Sequence, residues 1–482
     1  MEKILETLVG WAWGTPLLVA VFSVGILFTV GTGFWQFRRF GFILQNTLCK
    51  MFEKTEKGKG ILTPFQAVAI AMASTVGVGN IAGVASAIAF GGPGAVFWMW
   101  ICAFLGMITK MAECTLAVYF RDVEDSGETY GGPTYYMEKG LGRMKGWPKA
   151  VWIPMATLFG GGIWFTFFIT MQNYTVSEAV SSVFGVPMVG VSLFYAAACY
   201  AVVLGGIRRI GKVAGALVPF MAAFYLGGGL LILLKNASQV IPAFGLIFHS
   251  AFNPTAAVGG FGGAAVAVAL RTGVARSIYS NEAGWGTAPH AHSTAQVDHP
   301  IRQGMWGVFE VFVDTILVCT MTALIVIVTG EWTSGKGGAT LALAAFRHGF
   351  GSLGVTVFTL GLFLFGWTTS TGYCAYYEIL ARHVGHWNKG LAKALTLLCK
   401  WGYPIPGVAI VLWATKYEVG SGMVWLLADL STAVPTFINL VAIAVLSPVF
   451  FRLLKDFDAR EFGKSGGKMN HLFYEDDPAN RR

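Results

Sequence analysis

The stretch that decides the fold reads Ala73-Ser74-Thr75-Val76-Gly77-Val78-Gly79-Asn80. It lies inside an apolar segment, from about residue 65 to residue 90, that is long enough to cross a bilayer, which takes about 20 helical residues. Each of its two glycines weakens a helix by about 1 kcal/mol relative to Ala. Its polar side chains have no reason to face lipid, so the segment predicts a membrane helix with an interruption or a close contact in its middle.

Two interpretations of this segment follow from its residues. Small residues favour close packing between membrane helices. Alternatively, the helix is unwound here, so that freed carbonyl groups of one half face a cation and freed N–H groups of the other half face a carboxylate. Gly77 and Gly79 would then let a substrate approach the backbone closely.

The composition of the whole chain indicates an all-α polytopic membrane protein. Of its 482 residues, 55% are apolar and 12% are charged, whereas soluble domains carry about 25% charged residues. Because lipid offers the backbone no hydrogen-bond partner, apolar spans must be helical. We predict eleven spans, at about residues 13–35, 65–90, 95–120, 151–181, 187–206, 213–234, 254–279, 304–329, 354–380, 391–413 and 422–451.

The distribution of Lys and Arg predicts the orientation, because cytoplasmic loops carry an excess of both. With the N-terminus outside and the C-terminus in the cytoplasm, few of the 34 Lys and Arg fall in outside loops, namely Lys3, Lys235, Lys336, Arg347 and Lys416. The opposite orientation would reverse this bias. We therefore expect a multi-pass protein of the cell membrane, and the scattered basic residues argue against a nucleic-acid partner.

Eleven spans divide into one extra span and two units of five, and an odd number per unit makes the second unit run opposite to the first. Two such units with opposite orientations form an inverted repeat, which is common in secondary transporters. We predict an extra N-terminal helix with a basic linker at 1–64, repeats at 65–240 and 241–451, and a cytoplasmic tail at 452–482.

Two further segments are candidates for the binding site. The first span of the second unit contains two glycine groups, Gly259 to Gly263 and Ala269 to Gly273, and either predicts a second break, with symmetry favouring the later one. The eighth span of the ten carries four hydroxyl residues in a row, from Thr368 to Thr371. Thr369 and Tyr373, four residues apart, share a helix face.

Ionisable residues inside the spans are functional candidates. Glu310 and Asp314 share a face, and we expect either proton coupling or structural pairing with Arg271, Lys110 or a backbone amide. His290 and His292 lie in a loop without helical metal-ligand spacing, so a role in loop structure, gating or capping is favoured over metal binding.

The sequence resembles the alanine or glycine:cation symporter family. The resemblance rests on Ser280 to His292, Asp298 to Gly304, Gly77 to Gly83 and Phe365 to Thr369, and it covers nearly the whole chain. It implies the five-plus-five inverted-repeat fold of sodium-coupled amino acid symporters, the fold of the leucine transporter.

The same resemblance implies residues for each ligand. Na+, the co-transported ion, would take the carbonyl oxygens of Ala73 and Val76 and the hydroxyl groups of Thr368 and Thr369. The family's Asn-Met-Val-Gln run reads Ile169-Thr170-Met171-Gln172 here, which keeps the Gln. The amino acid, alanine or glycine, would contact Thr75, Gly77, Gly79, Asn80, Gln172, Tyr373 and, more weakly, Leu270.

The expected function is thus symport of a small amino acid with Na+, with a proton-coupled amino acid carrier as the alternative. A channel would need a continuous polar lining rather than two broken helices. An enzyme such as a membrane metalloprotease would need a helical acid-plus-histidine motif, and the sequence has none; nor has it the GxxxxGK[ST] motif of an ATP-driven protein. The sequence does not indicate an oligomeric state.

Overall fold

The structure is a computed structural model that describes residues 2–53, 58–169, 171–253, 262–419, 421–463 and 468–480. The first half of the described chain contains helices α1 Glu2–Ala12, α2 Thr15–Gly31, α3 Trp35–Arg38, α4 Phe40–Asn46, α5 Pro64–Thr75, α6 Val84–Gly91, α7 Gly94–Tyr119, α8 Pro133–Tyr136, α9 Lys149–Phe168, α10 Met171–Phe184, α11 Met188–Val203, α12 Gly206–Lys235 and α13 Ala237–Phe252.

The second half contains α14 Gly262–Asn281, α15 Pro289–His292, α16 Pro300–Val311, α17 Thr320–Val328, α18 Gly338–Val384, α19 Lys389–Gly402, α20 Ile405–Tyr417 and α21 Ser421–Phe462. Short 3-10 helices lie at Leu48–Lys50, Glu331–Thr333, Tyr474–Asp476 and Pro478–Asn480. π-Helical segments lie at Gly79–Gly83, Met137–Met144 and Phe312–Cys319. The strands β1 Asp122–Val123 and β2 Thr129–Tyr130 form an antiparallel pair in the loop between α7 and α8.

The helices confirm the predicted fold class. Among the described residues, seven helices are long and apolar enough to cross a membrane, and nine spans result when each of two bent helix pairs counts as one. The shorter helices α11 and α14 occupy two more of the predicted spans. The count of eleven and the inverted repeat remain predictions.

The outside of the bundle is apolar, as lipid requires. Large apolar side chains such as Phe194, Phe220 and Leu234 are each at least 60% exposed, and soluble proteins rarely expose such contiguous surfaces. The interior, by contrast, holds many buried polar groups that contact one another. Many polar side chains are therefore buried inside the bundle, while large apolar side chains cover its outer surface.

Two features of the helices differ from the sequence prediction. Helix α13 covers a stretch predicted as a loop between the sixth and seventh spans. Helix α18 joins the predicted short amphipathic stretch to the ninth span, and Gly351 at the junction has a φ of 65° that only glycine adopts readily. Both pieces extend the bundle without changing the order of the spans.

The first and last long helices of the described chain pack against each other. Helices α1 and α2 both contact α21. The buried indole N–H of Trp13 donates a hydrogen bond to the carbonyl oxygen of Asp429, at 2.9 Å. The extra N-terminal span is thus fastened to the span that closes the bundle.

Candidate binding site

The first predicted break is present in the structure. Helix α5 ends at Thr75, the next helical segment begins at Gly79, and the two halves are bent by 44°. Val76 has left the helical conformation, with φ −77° and ψ 88°. The freed N–H of Gly77 donates to the side-chain oxygen of Asn80, at 2.7 Å. The break is therefore a capped interruption rather than a packing face in a continuous helix.

Helix α18 packs directly on this break, because two glycines remove the side chains that would separate the helices. A Cβ on Gly77 would lie 2.1 Å from the hydroxyl oxygen of Thr369, and a Cβ on Gly372 would lie 2.3 Å from that of Ser74. The Thr369 hydroxyl donates to the carbonyl oxygen of Ala73, at 2.9 Å. Both interpretations of the segment therefore hold. Gly77 lies in the interruption of one helix, and it also allows α18 to pack closely on that interruption.

The residues predicted for Na+ differ in their surroundings. Ala73 and Thr369 are in contact, and Val76 lies at the break beside them. Thr368 points elsewhere: its hydroxyl donates to the carbonyl oxygen of Leu364, at 2.9 Å, and lies 3.9 Å from the sulfur of Met221. Each threonine hydroxyl uses its proton within the protein, so its oxygen lone pairs remain available to a cation.

Two of the residues predicted for the substrate have hydrogen-bond partners within the protein, and their contact with a substrate stays a prediction. The Thr75 hydroxyl donates back to the carbonyl oxygen of Ala71, at 3.1 Å, as buried threonines in helices often do. The Asn80 side chain caps the break and donates to the carboxylate of Asp314, at 2.6 Å. Asn80 therefore ties the break to the segment that follows α16.

Gln172 and Tyr373 meet in a narrow internal cavity. Tyr279 and Trp285 also line it, their ring centroids 5.9 Å apart, and Trp285 lies 6.2 Å from Tyr373. A Cβ on Gly79 would lie 3.3 Å from the Tyr279 ring, so the first break adjoins this aromatic wall. The cavity is therefore largely aromatic, with the amide of Gln172 and the hydroxyl residues Thr166 and Ser431 also in its lining.

The predicted second break is wrong at the later glycine group. Helix α14 runs without interruption through Leu270 and Gly273, and a Cβ on Gly273 would lie 2.3 Å from the carbonyl oxygen of Ala95. These small residues serve close packing on α7. Leu270 lies nine residues before Tyr279, about 13 Å along the helix axis, and does not line the cavity.

Most of the earlier glycine group, Gly259 to Phe261, lies outside the described residues. The unwound segment that the structure describes comes after α14, from Glu282 to Ala288. Glu282 has a φ of 58°, and Gly284 and Gly286 have φ values of 91° and 87°. The sequence signal for this break was the pair of glycines around Trp285, which the prediction treated as a loop motif.

The charged residues buried in the interior form pairs. This agrees with structural pairing, one of the two interpretations given for Glu310 and Asp314. The Lys110 ammonium lies 3.3 Å from a carboxylate oxygen of Glu310, and His292 lies 3.0 Å from the other. Asp314 accepts from Asn80 and from the hydroxyl of Ser280, at 2.9 Å. These contacts join α7, α14 and α16 and the loop around α15.

An ion pair lines a second, wider cavity. Arg276 forms a bidentate pair with Asp429, with one nitrogen–oxygen distance of 3.0 Å. Its guanidinium lies 4.6 Å from the Trp425 ring centroid, and Trp425 lies 5.2 Å from Tyr279. Both residues line the wider cavity together with Trp13, Arg271 and Trp425. The sequence alone did not predict this pair, because the two residues are 153 positions apart.

A separate cluster joins the loop before α9 to the end of α18. His386 places one ring nitrogen 3.0 Å from Glu138 and the other 2.8 Å from Asp122. These two carboxylates raise the pKa of His386 to about 9. With both nitrogens donating, the ring is an ion-pair partner rather than a metal ligand.

Comparisons with known proteins agree with this arrangement. The family model described as the sodium:alanine symporter family matches residues 1–471. The sodium/alanine symporter AgcS of Methanococcus maripaludis is 38% identical, over 95% of this chain and 97% of its own. The probable sodium/glutamine symporter GlnT of Bacillus subtilis is 37% identical, over 99% and 95%.

A solved Na+-coupled sialic acid symporter is similar in fold, with a TM-score of 0.52 and 12% identity over 94% of this chain and 92% of its own. The broken helix, the hydroxyl-rich helix packed on it and this likeness define the leucine-transporter fold. The chain belongs to the sodium:alanine symporter family. It is a membrane transporter and not an enzyme.

Proposed function

We propose that this protein moves a small neutral amino acid, alanine or glycine, into the cell together with Na+ by alternating access. The observation that carries the proposal is the contact between the Thr369 hydroxyl and the Ala73 carbonyl at a broken helix. In this proposal Na+ binds the oxygens of Ala73, Val76 and Thr369, and the Thr368 hydroxyl, which now contacts Leu364, turns to complete the set as a weaker ligand. A hard cation prefers oxygen ligands.

The amino acid would occupy the narrow cavity beside the break. The side-chain amide of Gln172 would form a hydrogen bond with the polar end of the amino acid. The ring of Tyr373 would line the other side of the cavity. Gly77 and Gly79 would let its backbone approach the break, while Thr75 and Asn80 would hold the two half-helices in place. The large rings of Tyr279 and Trp285 narrow the cavity to about 20 Å³. They would have to move apart to admit even a small side chain, which favours alanine and glycine over glutamine.

Na+ supplies enough free energy for this transport. Moving one positive charge inward releases about 2.3 kcal/mol per 100 mV of membrane potential. At about 1.4 kcal/mol per tenfold, this concentrates a neutral substrate roughly 50-fold. The Na+ gradient adds to it. The proposed orientation, with the N-terminus outside, places the Arg276–Asp429 pair on the outer side of the cavity as the barrier that must open to admit substrate.

Uptake of radiolabelled alanine into proteoliposomes tests the proposal. An inward Na+ gradient should drive uptake and an equal K+ gradient should not, and unlabelled glycine should compete better than glutamine. Uptake that ignores Na+ but follows a pH gradient would favour the proton-coupled alternative. No alanine uptake under either gradient would remove alanine as the substrate.

A further inference from the structure

The wider cavity, of about 380 Å³, carries more positive than negative charge. Arg271 and Arg276 line it together with one acid, Asp429, so two positive charges face one negative charge. The stretch 254–261, which precedes α14 and lies outside the described residues, contains no ionisable residue that could change this count. Uncompensated charge in a largely buried site is unfavourable. An anion of one charge would therefore balance the cavity.

Both arginines have donors to spare for such an anion. Asp429 accepts from Nη1 and Nη2 of Arg276, but the Nε atom of Arg276 is buried and has no hydrogen-bond partner among the described residues. The Arg271 guanidinium lies beside α1, since a Cβ on Gly10 would be 3.3 Å from its Nη1. It forms no ion pair with any side chain that the structure describes and attracts Asp429 only at longer range. Guanidinium groups bind the oxygens of carboxylates and phosphates well, so the spare donors suit an oxyanion.

Helix α1 and the residue after it place the cavity at the surface of the membrane. Val9 and Trp13 are buried and line the cavity. Ile4, Leu8 and Trp11 are 65%, 43% and 84% exposed, and their spacing puts them on one face of the helix. A helix with an exposed apolar face lies at the boundary between lipid head groups and acyl chains, where Trp is enriched. The cavity beneath α1 is thus at the depth of the head groups.

The other walls of the cavity are apolar and reach the lipid-facing surface. Phe90, at the end of α6, lines the cavity and is 52% exposed. Val268, Trp425 and Leu426 line it as well. A lipid head group matches this lining, because its phosphate oxygens would accept from the arginines while its glycerol and acyl carbons contact the apolar walls. A phosphodiester carries one negative charge, which equals the surplus positive charge of the cavity.

We propose that the wider cavity binds the phosphodiester group of an anionic lipid, with Arg271 and the Nε–H of Arg276 as its donors. In the proposed orientation this lipid belongs to the outer leaflet. A dissolved anion would supply the charge but would leave the apolar walls in contact with water. The bound lipid joins α1, α14 and α21, and it contacts the arginine that holds Asp429. The binding itself does not depend on the proposed symport.

Thermal unfolding of the purified full-length protein, freed of lipid in a neutral detergent, tests the site. Phosphatidylglycerol should raise the Tm, because a ligand of the folded state stabilises it. The half-saturating lipid concentration should rise roughly tenfold in Arg271→Gln, as expected for a lost hydrogen bond between charged groups, and less in Arg271→Lys, which keeps the charge. A Tm close to that of wild type without lipid shows that each variant is folded.

Arg347→Gln is the matched control, because Arg347 is an exposed arginine in a predicted outside loop that does not line this cavity. It should respond to phosphatidylglycerol as wild type does. An equal response of wild type and Arg271→Gln would overturn the proposal.

Three further comparisons identify the source of the anion. Diacylglycerol, which lacks the phosphate, should leave the Tm unchanged. Water-soluble glycerol phosphate should raise the Tm only at much higher concentrations than the lipid does, and an equal effect of glycerol phosphate or chloride would overturn the lipid in favour of a dissolved anion. The chain itself has an acid four residues before Gly10, Glu6. Phosphatidylglycerol that stabilises Glu6→Gln but not wild type would show that this acid is the counter-ion and overturn the proposal. None of these measurements uses transport, so their failure is distinct from a failure of the proposed symport.

Discussion

The two unwound segments of this transporter differ in length and in chemistry. The first spans the three apolar residues Val76 to Val78 and is capped by the side chain of Asn80. The second spans the seven residues from Glu282 to Ala288 and carries a buried acid in a left-handed conformation. The first offers backbone oxygens and close approach, and the second offers an ionisable side chain. The two segments, which the predicted repeat would relate, therefore present different chemical groups to the interior of the bundle.

The largest effect is expected from Gly77→Ala. The new Cβ would lie 2.1 Å from the Thr369 hydroxyl oxygen, so α18 has to move away from the first break. We expect loss of Na+-driven uptake with little change in expression. Gly83→Ala is the matched control, because its nearest neighbour is the Trp425 ring at 3.5 Å. Near wild-type uptake by Gly77→Ala would show that the close contact is not required.

A smaller effect separates the two adjacent threonines. Thr369→Val keeps the shape but removes the hydroxyl beside Ala73, and we expect the half-saturating Na+ concentration to rise roughly tenfold or more, the range typical of lost metal-site contacts. Thr368→Val should raise it less, because Thr368 does not contact the break. Thr369→Ser should restore the affinity. Equal effects of the two valine variants would show that both hydroxyl groups bind the ion equally, and no effect of Thr369→Val would remove Thr369 from the proposed ligands.

The smallest effect concerns the helix before the second break. Leu270→Ala should leave the KM for alanine within about twofold of wild type, since Leu270 lies about 13 Å along α14 from the cavity. Gln172→Leu, which removes a polar group from the cavity wall, should raise KM roughly tenfold, as expected for a hydrogen bond to a charged group. A large KM change in Leu270→Ala would mean that the substrate binds further along α14.

The sequence predicted the fold class and the first break because both follow from local signals. Long apolar segments have few structural solutions in lipid, and two glycines beside polar residues weaken a helix wherever it lies. The second break was misplaced because glycines such as Gly273 serve helix packing equally well. Only the neighbouring backbone, here the Ala95 carbonyl, distinguishes the two uses.

The side-chain partners lay beyond the reach of the sequence. Asn80 was predicted as a substrate ligand from its position in the motif, but its amide contacts Asp314, 234 residues away. The Arg276–Asp429 pair joins residues 153 positions apart. Such contacts depend on how the helices are arranged, which residue type and spacing do not specify.

The hydrogen bond from Trp13 to Asp429 has a consequence for how the protein is made. It joins residues 416 positions apart, so the first span can pack on α7 early but makes this contact only after the last long helix of the described chain has been synthesised. The same bond holds the backbone of Asp429, whose side chain pairs with Arg276 at the wider cavity. A chain that ended before α21 would therefore lack both the partner of Trp13 and the partner of Arg276.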